Sequence, residues 1–319
     1  MRRKPRIGLA LGSGSARGWA HIGIIRALEE RGIKPDMVCG TSVGALVGAA
    51  YASGQLDKLE KWVTGLAWTT VVRLMDLSWS GGLIRGTRLF NLFGSILDDV
   101  DIDQFAVPFG AVATELGSGR EVWLRHGRML DAVRASCALP GILQPAVHNE
   151  MLLVDGGLVN PVPVSMCRAL GAEVVIAVDL SWGKLGVYRD RSRDRSGDKG
   201  GDRVGDRTVS PDGTIELPAE PREKPGLLDR LGRGWLGRTV KEVESKVRMP
   251  SIIEVFTTSL DIVEMRVARS RLAGEPADVL LTPLLPRFKT MDFHRAKEAI
   301  AEGRATVERM APLIQQVLG

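Results

Sequence analysis

Apolar positions along the chain fall into two alternating spacings. Ile7-Gly8-Leu9-Ala10-Leu11 is a short continuous run, the mark of a strand buried on both faces. A glycine- and serine-rich turn follows, and then a helix from roughly Trp19 to Arg31 with Ile22, Ile25, Ala27 and Leu28 as its apolar stripe. Gly32 stands where a helix wants its C-terminal glycine. Pro35-Asp36 leads into a second apolar strand, which ends at Gly40-Thr41-Ser42 and is succeeded by a helix of small residues. A strand-helix-strand-helix run of this kind implies parallel strands joined by right-handed crossovers.

The remaining periodicities extend the same plan. Leu56 to Leu97 is helical in pattern, interrupted by a loop from Asp76 to Leu83. Phe109 to Thr114 and Glu121 to Leu124 read as strands of a hairpin turning at Gly117-Ser118-Gly119. Leu130 to Ala138 is a short helix stopped by Pro140-Gly141, and Gln144 to Val154 splits into two strand pieces about Asn149-Glu150. Pro163 opens a helix reaching Leu170, and Val174 to Asp179 is another buried strand. Late in the chain come a helix from Ser251 to Leu272, with Ile252, Val255, Leu260, Val263 and Val267 predicted inward, a strand from Asp278 to Thr282, and a helix from Phe293 to Val317.

One stretch breaks the pattern. Residues 184–225 carry ten basic and nine acidic side chains, six glycines and few, scattered apolar residues, so they cannot bury enough surface to offset their ordering entropy. They are predicted to be a charged insertion within a single domain spanning 1–319, whose core is about 5–182 and 250–319. The segment from Gly226 to Val247 reads as basic and helical.

Composition narrows the picture further. The three cysteines, Cys39, Cys137 and Cys167, form no CxxC pair, which argues against a disulfide framework or zinc site and for a reducing compartment. No uninterrupted apolar run approaches the ~20 residues that a bilayer span needs, and the basic N-terminus lacks a signal-peptide apolar region. A soluble, cytoplasmic protein is therefore expected. The net charge of +5 favours contact with anionic surfaces, so peripheral attachment at the inner membrane face is part of this expectation. Nucleic acid is not expected as a partner. The insertion and basic segment could serve a protein partner instead.

The candidate chemistry begins at Gly40-Thr41-Ser42-Val43-Gly44, a Gly-x-Ser-x-Gly set between strand and helix. A serine on such a turn points outward, and the flanking glycines permit the sharp turn and close backbone approach. The loop Gly12-Ser13-Gly14-Ser15-Ala16-Arg17-Gly18 fits a dinucleotide-binding fingerprint poorly, because Arg17 occupies its sixth position, where glycine is wanted, and no acid ends the second strand. It serves better as a set of backbone N–H groups at a helix N-terminus, aimed at an oxyanion. A nucleophilic serine also needs a base. Of His21, His126, His148 and His294, only His294 has the chain order of a Ser-acid-His triad, and its setting looks like a helix start. Asp155, followed by Gly156 and Gly157, is sterically open, and a carboxylate with a pKa raised by burial can take the serine proton itself.

The glycine loop at 12–18, the elbow at 40–44 and Asp155-Gly156-Gly157, in this order, resemble the patatin-like phospholipases. Arg134-Ala135-Ser136-Cys137-Ala138-Leu139-Pro140 resembles a further block of that family. Met75-Asp76-Leu77-Ser78-Trp79 and Met291-Asp292-Phe293-His294-Arg295-Ala296 resemble its bacterial RssA type. The resemblance implies an α/β protein with a three-layer α/β/α fold around a mainly parallel sheet. It implies a serine acyl-ester hydrolase of lipids, phospholipids or lysophospholipids, with Ser42 as nucleophile, Asp155 as base and no metal or cofactor. The oxyanion would be held by the loop of Gly12, Ser13, Gly14, Ser15, Arg17 and Gly18, aided by the Val43 N–H. Gly40, Gly44, Gly156 and Gly157 would support the two turns. Apart from the resemblance, the loop from Asp76 to Leu83, with Trp62, Trp68 and Trp79 in or near its segment, reads equally as a partly apolar cover over an acyl pocket and as a packed surface loop. Ser13 and Ser15 interrupt the glycine run usual in the family, and the loop keeps its donors only if their φ angles are negative. Two alternatives remain at this point: an acyl thioesterase, and a regulatory or scaffold protein acting through partner binding.

Overall fold

The computed structural model describes residues 3–67, 69–70, 87–181, 252–286 and 288–319. The candidate cover loop at 76–83, the insertion at 184–225 and the basic segment at 226–247 lie outside the described residues. Close contacts divide the chain into two compact units, 1–188 with 256–319, and 189–255. The sheet lies wholly in the first.

Its strands are β1 (Ile7–Leu11), β2 (Met37–Thr41), β3 (Phe109–Glu115), β4 (Glu121–Leu124), β5 (Ala146–His148), β6 (Met151–Asp155), β7 (Val174–Val178) and β8 (Val279–Leu281). They are arranged in the order β5-β6-β3-β2-β1-β7-β8, with β4 paired to β3 off that path. The pairs from β3 through β8 are parallel, and β4, β5 and β6 join antiparallel. The helices are α1 (Ala20–Glu30), α2 (Val43–Ala52), α3 (Leu56–Thr64), α4 (Thr87–Ile96), α5 (Met129–Ser136), α6 (Val164–Ala169), α7 (Ile252–Gly274) and α8 (Ala296–Leu318). The result is a mostly parallel sheet with helices on both sides, the expected three-layer α/β/α arrangement.

Residue alternation along the strands makes the two helix layers. Leu9, Leu11, Val38, Ala111, Ala113, Ile176 and Val178 face the larger core, with side chains of α1, α2, α3, α5 and α8. Ala10, Cys39, Val112, Val175 and Ala177 face the smaller one, against Val164, Met166 and Cys167 of α6 and Ala268 of α7. Because both faces are covered, the central strands read as continuous apolar runs. No helix among the described residues is long and apolar enough to cross a membrane.

The long helix α7 departs from its sequence pattern. Ile252 is 88% exposed, Val255 50% and Val263 46%, whereas Glu264, Met265 and Ala268 are buried. The inward face is set by the polar groups that α7 meets there, the Ser13 hydroxyl above all, and not by its count of apolar residues.

Register settles the layout of the site. Ala111 lies between Gly40 of β2 and Leu124 of β4, and Ala113 between Asp155 of β6 and Val122 of β4. With β4 on one edge of β3, β2 and β6 must share the other. Thr41 pairs with Val112 and Asp155 with Ala113, so the C-terminal ends of β2 and β6 meet head-on.

The first helix is clamped to the last by a glycine crossing. A Cβ on Gly23 would stand 1.9 Å from the Ile300 carbonyl oxygen, and one on Gly303 2.1 Å from that of Ala20. Replacing Gly303 by Ala must push α1 and α8 apart. The variant is expected to lose about 1–3 kcal/mol, the usual cost of overpacking, in urea unfolding. An unchanged midpoint would contradict this packing.

Candidate active site

Ser42 sits at the junction of β2 and α2 with φ 57° and ψ −127°, a conformation that costs a non-glycine residue about 1–3 kcal/mol. Several bonds hold it there. Its N–H donates to the Ser136 hydroxyl at 2.9 Å, and that hydroxyl donates to the Val112 carbonyl at 2.6 Å. Its own carbonyl accepts the Ala45 N–H at 2.8 Å, starting α2. The preceding Thr41 hydroxyl donates to the Asn160 carbonyl at 2.8 Å. Gly44 lets α2 lie against β1, since a Cβ there would stand 2.1 Å from the Leu11 carbonyl oxygen; Gly40 is closed in likewise by the Gly44 carbonyl at 2.4 Å.

Asp155 closes β6 and is 1% exposed. Its Oδ2 accepts the Ser42 hydroxyl at 2.6 Å, and its Oδ1 accepts the Gly157 N–H at 2.8 Å. The Asp155 main chain is fixed as well, its N–H donating to the Ala138 carbonyl at 3.0 Å and its carbonyl accepting the Thr114 hydroxyl at 2.8 Å. Gly156 and Gly157 are needed for close approach: a Cβ on Gly156 would stand 2.3 Å from the Val112 carbonyl oxygen, and one on Gly157 2.7 Å from Glu264 Oε1. The Ser42 hydroxyl hydrogen therefore points at a buried carboxylate oxygen.

The glycine loop is held at several points. The Gly12 N–H donates to the Val178 carbonyl at 3.0 Å, the Ser13 N–H to that of Pro161 at 2.8 Å, and the Ala16 N–H to that of Thr290 at 3.2 Å. The N–H of Arg17 turns back to the Gly14 carbonyl. The N–H groups of Gly14, Ser15 and Val43 donate to nothing among the described residues. The expectation of negative φ at both serines fails at Ser15, which has φ +50° in the left-handed region and still leaves its N–H unengaged among the described residues, whereas Ser13 is not among the positive-φ residues. Gly18 packs against Val43, where a Cβ would come within 2.2 Å of its Cγ1. The Arg17 guanidinium is buried and donates to the Phe288 carbonyl at 2.5 Å. Burial lowers its pKa against the opposing pull of Asp261, Asp292 and Glu264.

Two site residues carry no role that the sequence alone assigns. Ser136 is one, and only its place in the Arg134–Pro140 block could have marked it. Cys137 is the other: burial, followed by the Asp155 charge, pushes its thiol pKa well up against a smaller lowering by the neighbouring Ser42. It is a protonated thiol next to the serine.

The histidines lie elsewhere. His126 bonds Asp103 Oδ1 at 2.6 Å and His148 bonds the Asn149 side chain at 3.3 Å. His294 lies in the single turn Phe293–Arg295. His21 is fully buried on α1 with Nε2 2.8 Å from the Gly12 carbonyl oxygen, so Nε2 carries the proton and steadies the loop.

The patatin-like phospholipase family model matches residues 9–168, which include the glycine loop, Ser42 and Asp155. An uncharacterized NTE family protein of Mycobacterium tuberculosis is 34% identical over 94% of this chain and 90% of its own. The chain belongs to the patatin-like phospholipase family. More distant similarity reaches a lysophospholipase of Aspergillus fumigatus, 33% identical over 54% of this chain and 12% of that one. Patatin-like phospholipase domain-containing protein 7 of Mus musculus is 34% identical over 54% of this chain and 13% of its own. The stretch matching the patatin-like family thus contains each of the three motifs that carry the resemblance.

Burial lowers the His21 pKa from 6.5 to about 4, against a smaller raising effect of the Gly12 bond. The unfolded imidazole gains its proton near pH 6.5 and the folded one only near pH 4, so falling pH favours unfolding across that window. The loss should steepen toward about 1.4 kcal/mol per pH unit. Urea unfolding between pH 7 and 4.5 should show a flatter pH dependence in His21→Gln than in the parent protein. Equal slopes would count against the buried neutral imidazole.

Proposed function

We propose that this protein is a serine acyl-ester hydrolase acting on phospholipids or lysophospholipids through Ser42 and Asp155. The observation that carries the reading is the 2.6 Å hydrogen bond from the Ser42 hydroxyl to the buried Asp155 carboxylate, at a serine held in a strained turn. Asp155 takes the proton as Ser42 Oγ attacks the ester carbonyl carbon, and returns it to the departing alcohol. The carbonyl oxygen, charged in the tetrahedral intermediate, is received by the N–H groups of Gly14 and Ser15, with Val43 adding its own from the residue after the nucleophile. Water then attacks the acyl-serine, Asp155 accepting its proton and passing it to Ser42 Oγ as the acyl–oxygen bond breaks and the fatty acid leaves.

The lipid part of the proposal draws on the relatives, two of whose names specify a lysophospholipase or a patatin-like phospholipase domain. The net charge of +5 suits a substrate presented at an anionic membrane face, which we take to be the cytoplasmic one. Within the family, we place the chain with the bacterial RssA type, on the stretches at 75–79 and 291–296.

Purified protein is expected to hydrolyse p-nitrophenyl butyrate and lysophosphatidylcholine. Ser42→Ala should lose about 10³-fold or more in kcat. Asp155→Asn should abolish labelling of Ser42 by a fluorophosphonate. Retained hydrolysis in the first variant would remove Ser42 from the mechanism, and labelling at the parent rate in the second would require another base.

A further inference from the structure

Glu264 is a carboxylate that the hydrolytic steps do not use, yet it lies between the two segments they depend on. It projects from the inward face of α7 beside Met265 and Ala268 and is 7% exposed. Its Oε2 accepts the Ser13 hydroxyl at 2.9 Å. Its Oε1 lies 2.7 Å from where a Cβ on Gly157 would stand, so it packs directly on the turn whose Gly157 N–H holds Asp155 Oδ1. Burying a carboxylate is costly unless its oxygens are engaged. Here the Ser13 hydroxyl engages it, and the buried Arg17 guanidinium, with Asp261 and Asp292 also close, supplies compensating charge.

We propose that Glu264 is a positioning residue for the hydrolytic reaction, clamping the glycine loop through Ser13 while seating the Gly156-Gly157 turn that carries Asp155. The inference rests on the hydrolase reading. Ser13 is fixed at two points, its N–H on the Pro161 carbonyl and its hydroxyl on Glu264. The next two residues bear the unengaged N–H groups, and Ser15 holds φ +50°, which persists only where the surroundings enforce it. Ala16, bonded to the Thr290 carbonyl, fixes the far side. The loop is thus stretched between two anchors, and the Ser13–Glu264 bond is an anchor made wholly of side chains. In a run of plain glycines this anchor could not exist. The serine at position 13 is what gives α7 a grip on the oxyanion donors.

Removing the clamp should misplace the donors in the transition state and leave ground-state binding little changed. Glu264→Ala is expected to lower kcat on p-nitrophenyl butyrate by about tenfold or more, with KM within about twofold. Glu264→Gln should recover most of that loss, because its amide oxygen still accepts from Ser13. Ser13→Ala should lose activity in the same direction and by no more than Glu264→Ala, which also removes the carboxylate seated on the Gly157 turn, and the double variant should be no slower than Glu264→Ala, in which the shared bond is already gone. Fluorophosphonate labelling of Ser42 should slow in parallel. Ser13→Ala decides the matter alone if Glu264→Ala does not fold. Parent-like kcat in Ser13→Ala, additive losses in the double variant, or no recovery in Glu264→Gln would each overturn the proposal. Parent protein that neither hydrolyses the ester nor labels at Ser42 would instead overturn the hydrolase reading, and this inference with it.

Discussion

One edge of one strand carries the arrangement at the site. Along that edge β3 pairs first with β2, running parallel, and then with β6, running the other way. Two chain ends that travel toward each other along a common partner must meet, and here they meet at Thr41 and Asp155, opposite consecutive residues of β3. The residue after Thr41 is the outward-turned Ser42. A slip of one residue in either pairing would turn the side chains to the other face of the sheet and separate hydroxyl from carboxylate. The hairpin partner β4 occupies the opposite edge and leaves this one to the two strands that need it.

Around that junction the protein holds two non-glycine residues, Ser15 and Ser42, at positive φ. Each is secured by neighbours. Ser42 is fixed by Ser136 and by the start of α2, and the Ser15 loop by Pro161, Thr290, Glu264 and, through the Gly12 carbonyl, by His21. The consequence is a set of N–H groups without partners among the described residues, beside a hydroxyl bonded to a carboxylate. Imidazole, the usual base for serine, is present next to the loop but in a structural role: buried and neutral, it donates to a carbonyl two residues from the free donors.

Much of this is legible in the chain. Continuous apolar runs at Ile7–Leu11 and Val174–Val178 announce strands covered on both faces, and the small residues after Ser42 announce a helix lying close to the sheet. Asp155 is legible as a candidate because two glycines follow it. Its distance from Ser42 is not, since that depends on the register of three strands distant in sequence. The inward face of α7 escapes the sequence for a related reason. Apolar spacing points to Ile252, Val255 and Val263, but the helix turns Glu264 inward because Ser13 and Arg17, far away in the chain, provide it with a hydrogen bond and a countercharge. Ser136 stands out only as part of a block, and nothing in its local sequence signals that its hydroxyl braces the elbow.

The most direct test of the account is a crystal structure of the protein after reaction with an alkyl fluorophosphonate. Phosphorus should be bonded to Ser42 Oγ, with the phosphonyl oxygen about 2.7–3.1 Å from the backbone nitrogens of Gly14 and Ser15. A phosphonyl oxygen turned away from that loop, or a probe attached to any residue other than Ser42, would contradict it.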